Sequence, residues 1–283
     1  MSMASRLSGC KQHNTPFQKY RNSDVADGAT LTPPEKNMIT SETDRHGLTE
    51  VIIMRENLTE LVFILDRSGS MSGLESDTIG GFNSMIRKQK KEDGEAFVST
   101  LLFDDSCDVI HDRVKISDVK ELTDEDYFVR GCTALLDAVG GAINHIGNIQ
   151  KYAREEDRPA KTLFVITTDG LENASRKYSF RDVKRMIERQ KEKYNWEFLF
   201  LGANIDAIEV AGSMGIDRDR AANYNCDSDG TALNYMVLEE AVSRVRSCSP
   251  AKMSKMFAGG AWKASIDEDY AERSEKGRGK RRA

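Results

Sequence analysis

The chain has 283 residues, 39% hydrophobic and 31% charged, with a formal net charge of −5. That length can bury a large core, and that balance excludes both a multi-span membrane protein and a wholly disordered chain. Five cysteines without a CxxC pair and four histidines without ligand spacing argue against zinc and fit reduced thiols in the cytoplasm. From the N-terminus, residues 1–53 hold three of the five prolines, six basic and six acidic residues, and no sustained apolar periodicity. They read as a disordered leader reaching residue 57, or as an extension upstream of a true start at Met54. They lack the apolar core of a secretion signal, and no stretch of the chain has the apolar length of a membrane span.

Strands and helices then alternate. Leu61 to Leu65 is a continuous apolar run, expected of a strand buried on both faces. Ser76 to Lys91 carries Ile79, Phe82 and Ile86 on one helical stripe. Ala96 to Phe103 and Cys107 to His111 flank the short polar turn Asp104-Asp105-Ser106 and predict a hairpin. Thr133 opens a helix, with Leu136, Val139, Ile143 and Ile146 at helical spacing, and Thr162 to Thr167 is a second buried strand. Ser179 to Tyr194 is a helix with Ser179 as N-cap, and Glu197 to Leu201 a third buried strand. A short helix over Ile205 to Met214, an edge strand over Ala221 to Asn225 and an amphipathic helix over Thr231 to Arg246 complete the pattern. Strands alternating with helices predict a mostly parallel sheet covered on both faces, with the hairpin supplying one antiparallel edge strand.

After Pro250 the pattern breaks again. Residues 247–283 carry nine basic and five acidic residues and read as a flexible basic tail, leaving −9 on residues 54–246. Gly80-Gly81 and Gly140-Gly141 are expected to pack their helices closely on the sheet, Cys132 to be a small packed residue, and the methionines to be core.

In a doubly wound sheet, ligands bind beyond the carboxyl ends of the strands, where the strand order reverses. The first strand is followed there by Asp66-Arg67-Ser68-Gly69-Ser70 and the second long one by Thr168-Asp169-Gly170, while Gly131-Cys132-Thr133 leads into a helix. If the first and fourth strands are neighbours, Asp66 and Asp169 converge among the hydroxyls of Ser68, Ser70 and Thr133. Oxygen ligands alone suit Mg²⁺, Mn²⁺ or Ca²⁺.

Asp66-x-Ser68-x-Ser70, Thr133 and Asp169-Gly170, in this order and on these loops, resemble the metal-ion-dependent adhesion site of von Willebrand factor A (vWA) domains. The resemblance covers roughly residues 58–246 and is to the small stand-alone cytosolic versions of bacteria and phages. It implies an α/β, Rossmann-like three-layer sandwich with a six-stranded, mostly parallel sheet of order 3-2-1-4-5-6, one antiparallel edge strand and helices on both faces. It further implies that Ser68, Ser70 and Thr133 touch the ion, that Asp66 and Asp169 act largely through water, and that a partner protein supplies a Glu or Asp to the open position. Gly69, Gly131, Gly170 and Asn173 are expected to shape or brace the loops.

The expected function is a non-catalytic, metal-dependent protein-binding module, monomeric and cytoplasmic, with no membrane contact. Two alternatives belong to other classes. One is a stress-response scaffold whose basic tail, and only that tail, contacts nucleic acid or another anionic surface. The other is a Mg²⁺-dependent phosphoryl-transfer hydrolase of the haloacid dehalogenase type. Position 68 speaks against it, because that chemistry needs an acid/base Asp where Ser68 stands.

Overall fold

The computed structural model describes residues 58–280 and, in its last helix, side chains as far as Ser274. The expected leader and the basic cluster at the C-terminal end lie outside the described residues and side chains. Six strands, β1 (Leu58–Asp66), β2 (Glu95–Phe103), β3 (Cys107–Lys115), β4 (Lys161–Thr168), β5 (Glu197–Gly202) and β6 (Ala221–Asn223), form one sheet of order β3-β2-β1-β4-β5-β6. All neighbours are parallel except β2 and β3, the antiparallel hairpin at one edge. The chain is therefore a Rossmann-like sandwich, with β1 and β4 adjacent at the point where the strand order reverses.

Burial follows from the apolar runs. Every residue of β1 and β5 is buried, as expected of central parallel strands sandwiched between helices. Successive side chains face opposite layers. Leu61, Phe63, Leu65, Val165 and Leu201 share one core with helices α1 (Glu75–Gln89) and α5 (Ser228–Ser247). On the other face, Phe164 stacks between Trp196 and Phe198, with ring centroids 5.2 and 4.9 Å away, beneath helices α2 (Leu135–Tyr152) and α3 (Phe180–Tyr194). Each large apolar side chain removed from water contributes about 1.5–3 kcal/mol.

Local signals set the helix ends. Ser179 caps α3 through a reciprocal box with Asp182, and Asn195 ends the helix in the left-handed region at φ 54°. Helix α1 carries Glu75 and Asp77 in its first turn and Arg87 and Lys88 in its last, matching the helix dipole. Helix α4 (Ala207–Ser213) starts at an Asp206 cap.

The C-terminal segment departs from the flexible tail expected of it. Pro250 opens helix α6 (Pro250–Phe257) rather than ending order, a position where its missing N–H costs nothing. A 3₁₀ stretch (Ala258–Lys263) and helix α7 (Ala264–Lys280) follow. Met253, Phe257, Trp262 and Ile266 are buried in the same core as α1 and α5. Phe257 and Trp262 meet edge to face at 5.9 Å, and the Trp262 indole N–H donates to the Asp219 carbonyl at 2.7 Å. The domain therefore runs beyond residue 246. The reason is the apolar pairs at i and i+4, 253 with 257 and 262 with 266, which give these helices a face to bury.

Three smaller expectations also change. Gly81 and Gly140 lie against the rings of Tyr235 and Tyr178, a neighbouring helix and a loop, rather than against the sheet. Cys132 is exposed rather than packed. Met236 is 58% exposed rather than core. Among the described residues no helix is long and apolar enough to cross a membrane.

Candidate metal centre

The loops after β1 and β4 meet the segment before α2 at the carboxyl end of the sheet. All five residues of the motif converge there. Ser68 Oγ lies 3.1 Å from Ser70 Oγ, and Thr133 Oγ1 donates to Ser68 Oγ at 3.1 Å. Ser70 Oγ donates to Asp169 Oδ1 at 2.5 Å. Asp66 sits behind this ring. Its Oδ1 accepts the Ser68 N–H at 2.7 Å and its Oδ2 the Thr168 hydroxyl at 2.5 Å.

The supporting residues act as shaped walls. Gly131 adopts φ +66°, which disfavours side chains, and its carbonyl accepts the Gly69 N–H at 3.3 Å. A Cβ on Gly170 would lie 2.9 Å from Thr133 Oγ1 and 3.2 Å from Ser70 Oγ. Asn173 Oδ1 accepts the Thr133 N–H at 2.9 Å, and the Asn173 N–H returns a bond to the Thr133 carbonyl at 3.0 Å. Thr133 is thus held from both sides of its backbone.

Several residues that the sequence reading passed over belong to the same structure. Glu172 accepts the Leu136 N–H at 2.9 Å and the Ser175 N–H at 2.7 Å, capping α2 with the loop that carries Asp169. Tyr127 is buried and donates its hydroxyl to the Asp66 carbonyl at 2.5 Å. Cys226, from the loop after β6, donates to Asp169 Oδ2 at 3.5 Å, and burial pushes its thiol up to about 11. Arg67, the residue between Asp66 and Ser68, turns away from the ring and is buried. Its Nε donates to Asp104 at 2.9 Å, and a second nitrogen pairs with Asp108. Burial alone would raise Asp104, but hydrogen bonds from Arg130, Asp105 and Ser106 outweigh it and hold the carboxyl down to about 2. This ion cluster anchors the motif loop to the β2–β3 hairpin. Of these residues, Arg67 lies inside the motif and Glu172 two positions after Gly170, and that proximity is the signal the sequence carries for them.

Electrostatics at the ring favour a cation. Burial pushes both Asp66 and Asp169 above the usual carboxylate range, against the hydrogen bonds from Thr168 and Ser68 in one case and Ser70 and Cys226 in the other. Among the described residues, neither carboxylate forms an ion pair with Lys or Arg. Two desolvated carboxylates and three hydroxyls are an oxygen donor set that fits a hard divalent ion. Among the described residues no group of three or more His, Cys, Asp or Glu side chains is arranged to hold a metal ion.

No protein-family profile matches the chain, and neither does any curated protein sequence. Solved structures are similar at low identity. A von Willebrand factor type A protein from Catenulispora acidiphila is 15% identical over 67% of this chain and 43% of its own, with a TM-score of 0.45. The ArnB paralog VWA2 of Sulfolobus acidocaldarius is 17% identical over 65% and 44%, at 0.41. The vWF domain of the type V pili tip protein Mfa5 from Porphyromonas gingivalis is 9% identical over 69% and 98%, at 0.48. The chain spans less than half the length of the first two. These are distant likenesses of chain path.

Proposed function

We propose that this protein is a vWA-type, divalent-cation-dependent protein-interaction module with no catalysis of its own, working in the cytoplasm. The observation that carries the reading is the convergence of Ser68, Ser70, Thr133, Asp66 and Asp169 on one point at the sheet's switch position. Ser68, Ser70 and Thr133 would hold the ion directly. Asp66, with both oxygens already accepting hydrogen bonds from the loop, would act through water and fix the loop's shape. Asp169, oriented by Ser70 and Cys226, would also act largely through water.

A bound Mg²⁺ or Mn²⁺ supplies an electrophilic centre that accepts an anionic oxygen. With neutral hydroxyls as the groups that would hold it directly, such an ion would keep positive charge toward solvent, where a Glu or Asp of a partner would complete the site. The non-catalytic reading rests on the hydroxyls being engaged with one another and with the carboxylates, with no histidine in the ring. Affinity capture with the full chain tests it. Partner recovery should need Mg²⁺, be reversed by EDTA and fail with Asp66→Ala. Recovery indifferent to both contradicts the proposal.

A further inference from the structure

Between α2 and α3 runs a groove of about 690 Å³, on the face of the sheet that carries Trp196. It extends from Tyr178, at the start of α3, to Trp196, just before β5. Its floor includes Ile143, Met186 and Trp196. Gly147 keeps it open, because a Cβ there would come within 3.2 Å of Gln190 Nε2 and 3.9 Å of the Trp196 ring. Such a volume falls in the range of specific ligand sites.

The rim is cationic on both sides. Lys151 and Arg158 stand on one wall, Arg185 and Arg189 one turn apart on the other, and all four are exposed. Only Arg185 pairs with a carboxylate among the described residues, Asp182 at 3.1 Å. Lys151 lies over the ring of its neighbour Tyr152, and Arg158 donates to the backbone carbonyls of Gln150 and Ala153. Four cations with little internal neutralisation sit on a chain whose residues 54–246 carry −9. The groove is a cationic patch on a region that is acidic in sum.

We propose that this groove is a second binding site, which takes an extended acidic peptide segment of a partner protein bearing apolar side chains. The four cations are spread along two walls, which suits several carboxylates in a row better than one compact anion. The apolar floor accommodates side chains between those carboxylates. A nucleic acid backbone presents uninterrupted phosphate charge and brings no aliphatic side chains to the apolar floor.

The test is fluorescence anisotropy with the full chain and a labelled hexapeptide of alternating glutamate and leucine. Binding should survive EDTA, weaken with salt, and drop about tenfold or more in the Arg185→Glu/Arg189→Glu variant, as loss and reversal of two exposed ion pairs requires. Gly147→Leu, which fills the groove without touching its charge, should weaken binding as well, with thermal melting used to show that both variants fold. The proposal is overturned if both variants bind like wild type, if a lysine–leucine peptide binds equally, if oligothymidylate binds more tightly, or if EDTA abolishes binding. The last result would move the peptide to the metal centre and leave the function proposed above standing.

Discussion

Gly170 has room for a hydrogen and little more, because a methyl there would press on Thr133 Oγ1 at 2.9 Å and Ser70 Oγ at 3.2 Å. Gly170→Ala should therefore lower Mn²⁺ affinity several-fold while changing stability by less than about 1 kcal/mol. Titration calorimetry beside urea unfolding separates the two effects, and equal affinity with lost stability would contradict the account. Glu60 makes a pH prediction away from the centre. It is fully buried in β1, 2.9 Å from Arg113, and burial pushes its carboxyl up to about 7, against the pull of Arg113. Between about 4.5 and 7 the folded chain then holds a proton that the unfolded chain has released, so stability falls as pH rises through that window. Glu60→Gln should flatten this slope and be more stable than wild type at pH 8, by about 1–3 kcal/mol, with the gap closing near pH 4.5. Urea midpoints across pH measure it, and a gap that widens toward acid would contradict it. At this scale the five oxygen-bearing residues of the motif were legible because their spacing and strand-end positions are local properties. Arg67, Tyr127 and Cys226 were not, since what they touch is 37, 61 and 57 residues away in sequence.

The elements read well wherever a continuous apolar run or a helical stripe was strong. The strand cores of β1, β4 and β5 and the Ser179 cap of α3 fall where the sequence placed them. Ends were less legible: α2 begins at Leu135, after Ala134, because Thr133 is held in the site by Asn173 and does not enter the helix. The larger difference is α6 and α7. Nine basic residues over 247–283 gave the segment the look of a solvated tail, while Met253, Phe257, Trp262 and Ile266 bury against α1 and α5. Charge averaged over a segment conceals four well-spaced apolar anchors. Phe257→Ala should cost about 3–5 kcal/mol by leaving a cavity in the main core. Chemical denaturation checks this, and a wild-type midpoint would show that the helix is peripheral.

At the scale of the molecule, the mild −5 conceals a strongly acidic central region and a basic C-terminal segment that is in part a structural element. The sheet order follows from the alternation of strands and helices, and it is the order that brings Asp66 and Asp169 together across more than a hundred residues. On an acidic surface, a divalent ion at the sheet's carboxyl end would mark one spot for an acidic partner residue. The most direct test of that central claim is the electron paramagnetic resonance spectrum of Mn²⁺ titrated into the full chain, compared with a Ser68→Ala/Ser70→Ala variant whose fold is verified by circular dichroism. The account predicts one bound ion per chain in the wild type, displaced by Mg²⁺, and none in the variant. Absence of bound Mn²⁺ in the wild type, or equal binding by the variant, would contradict it.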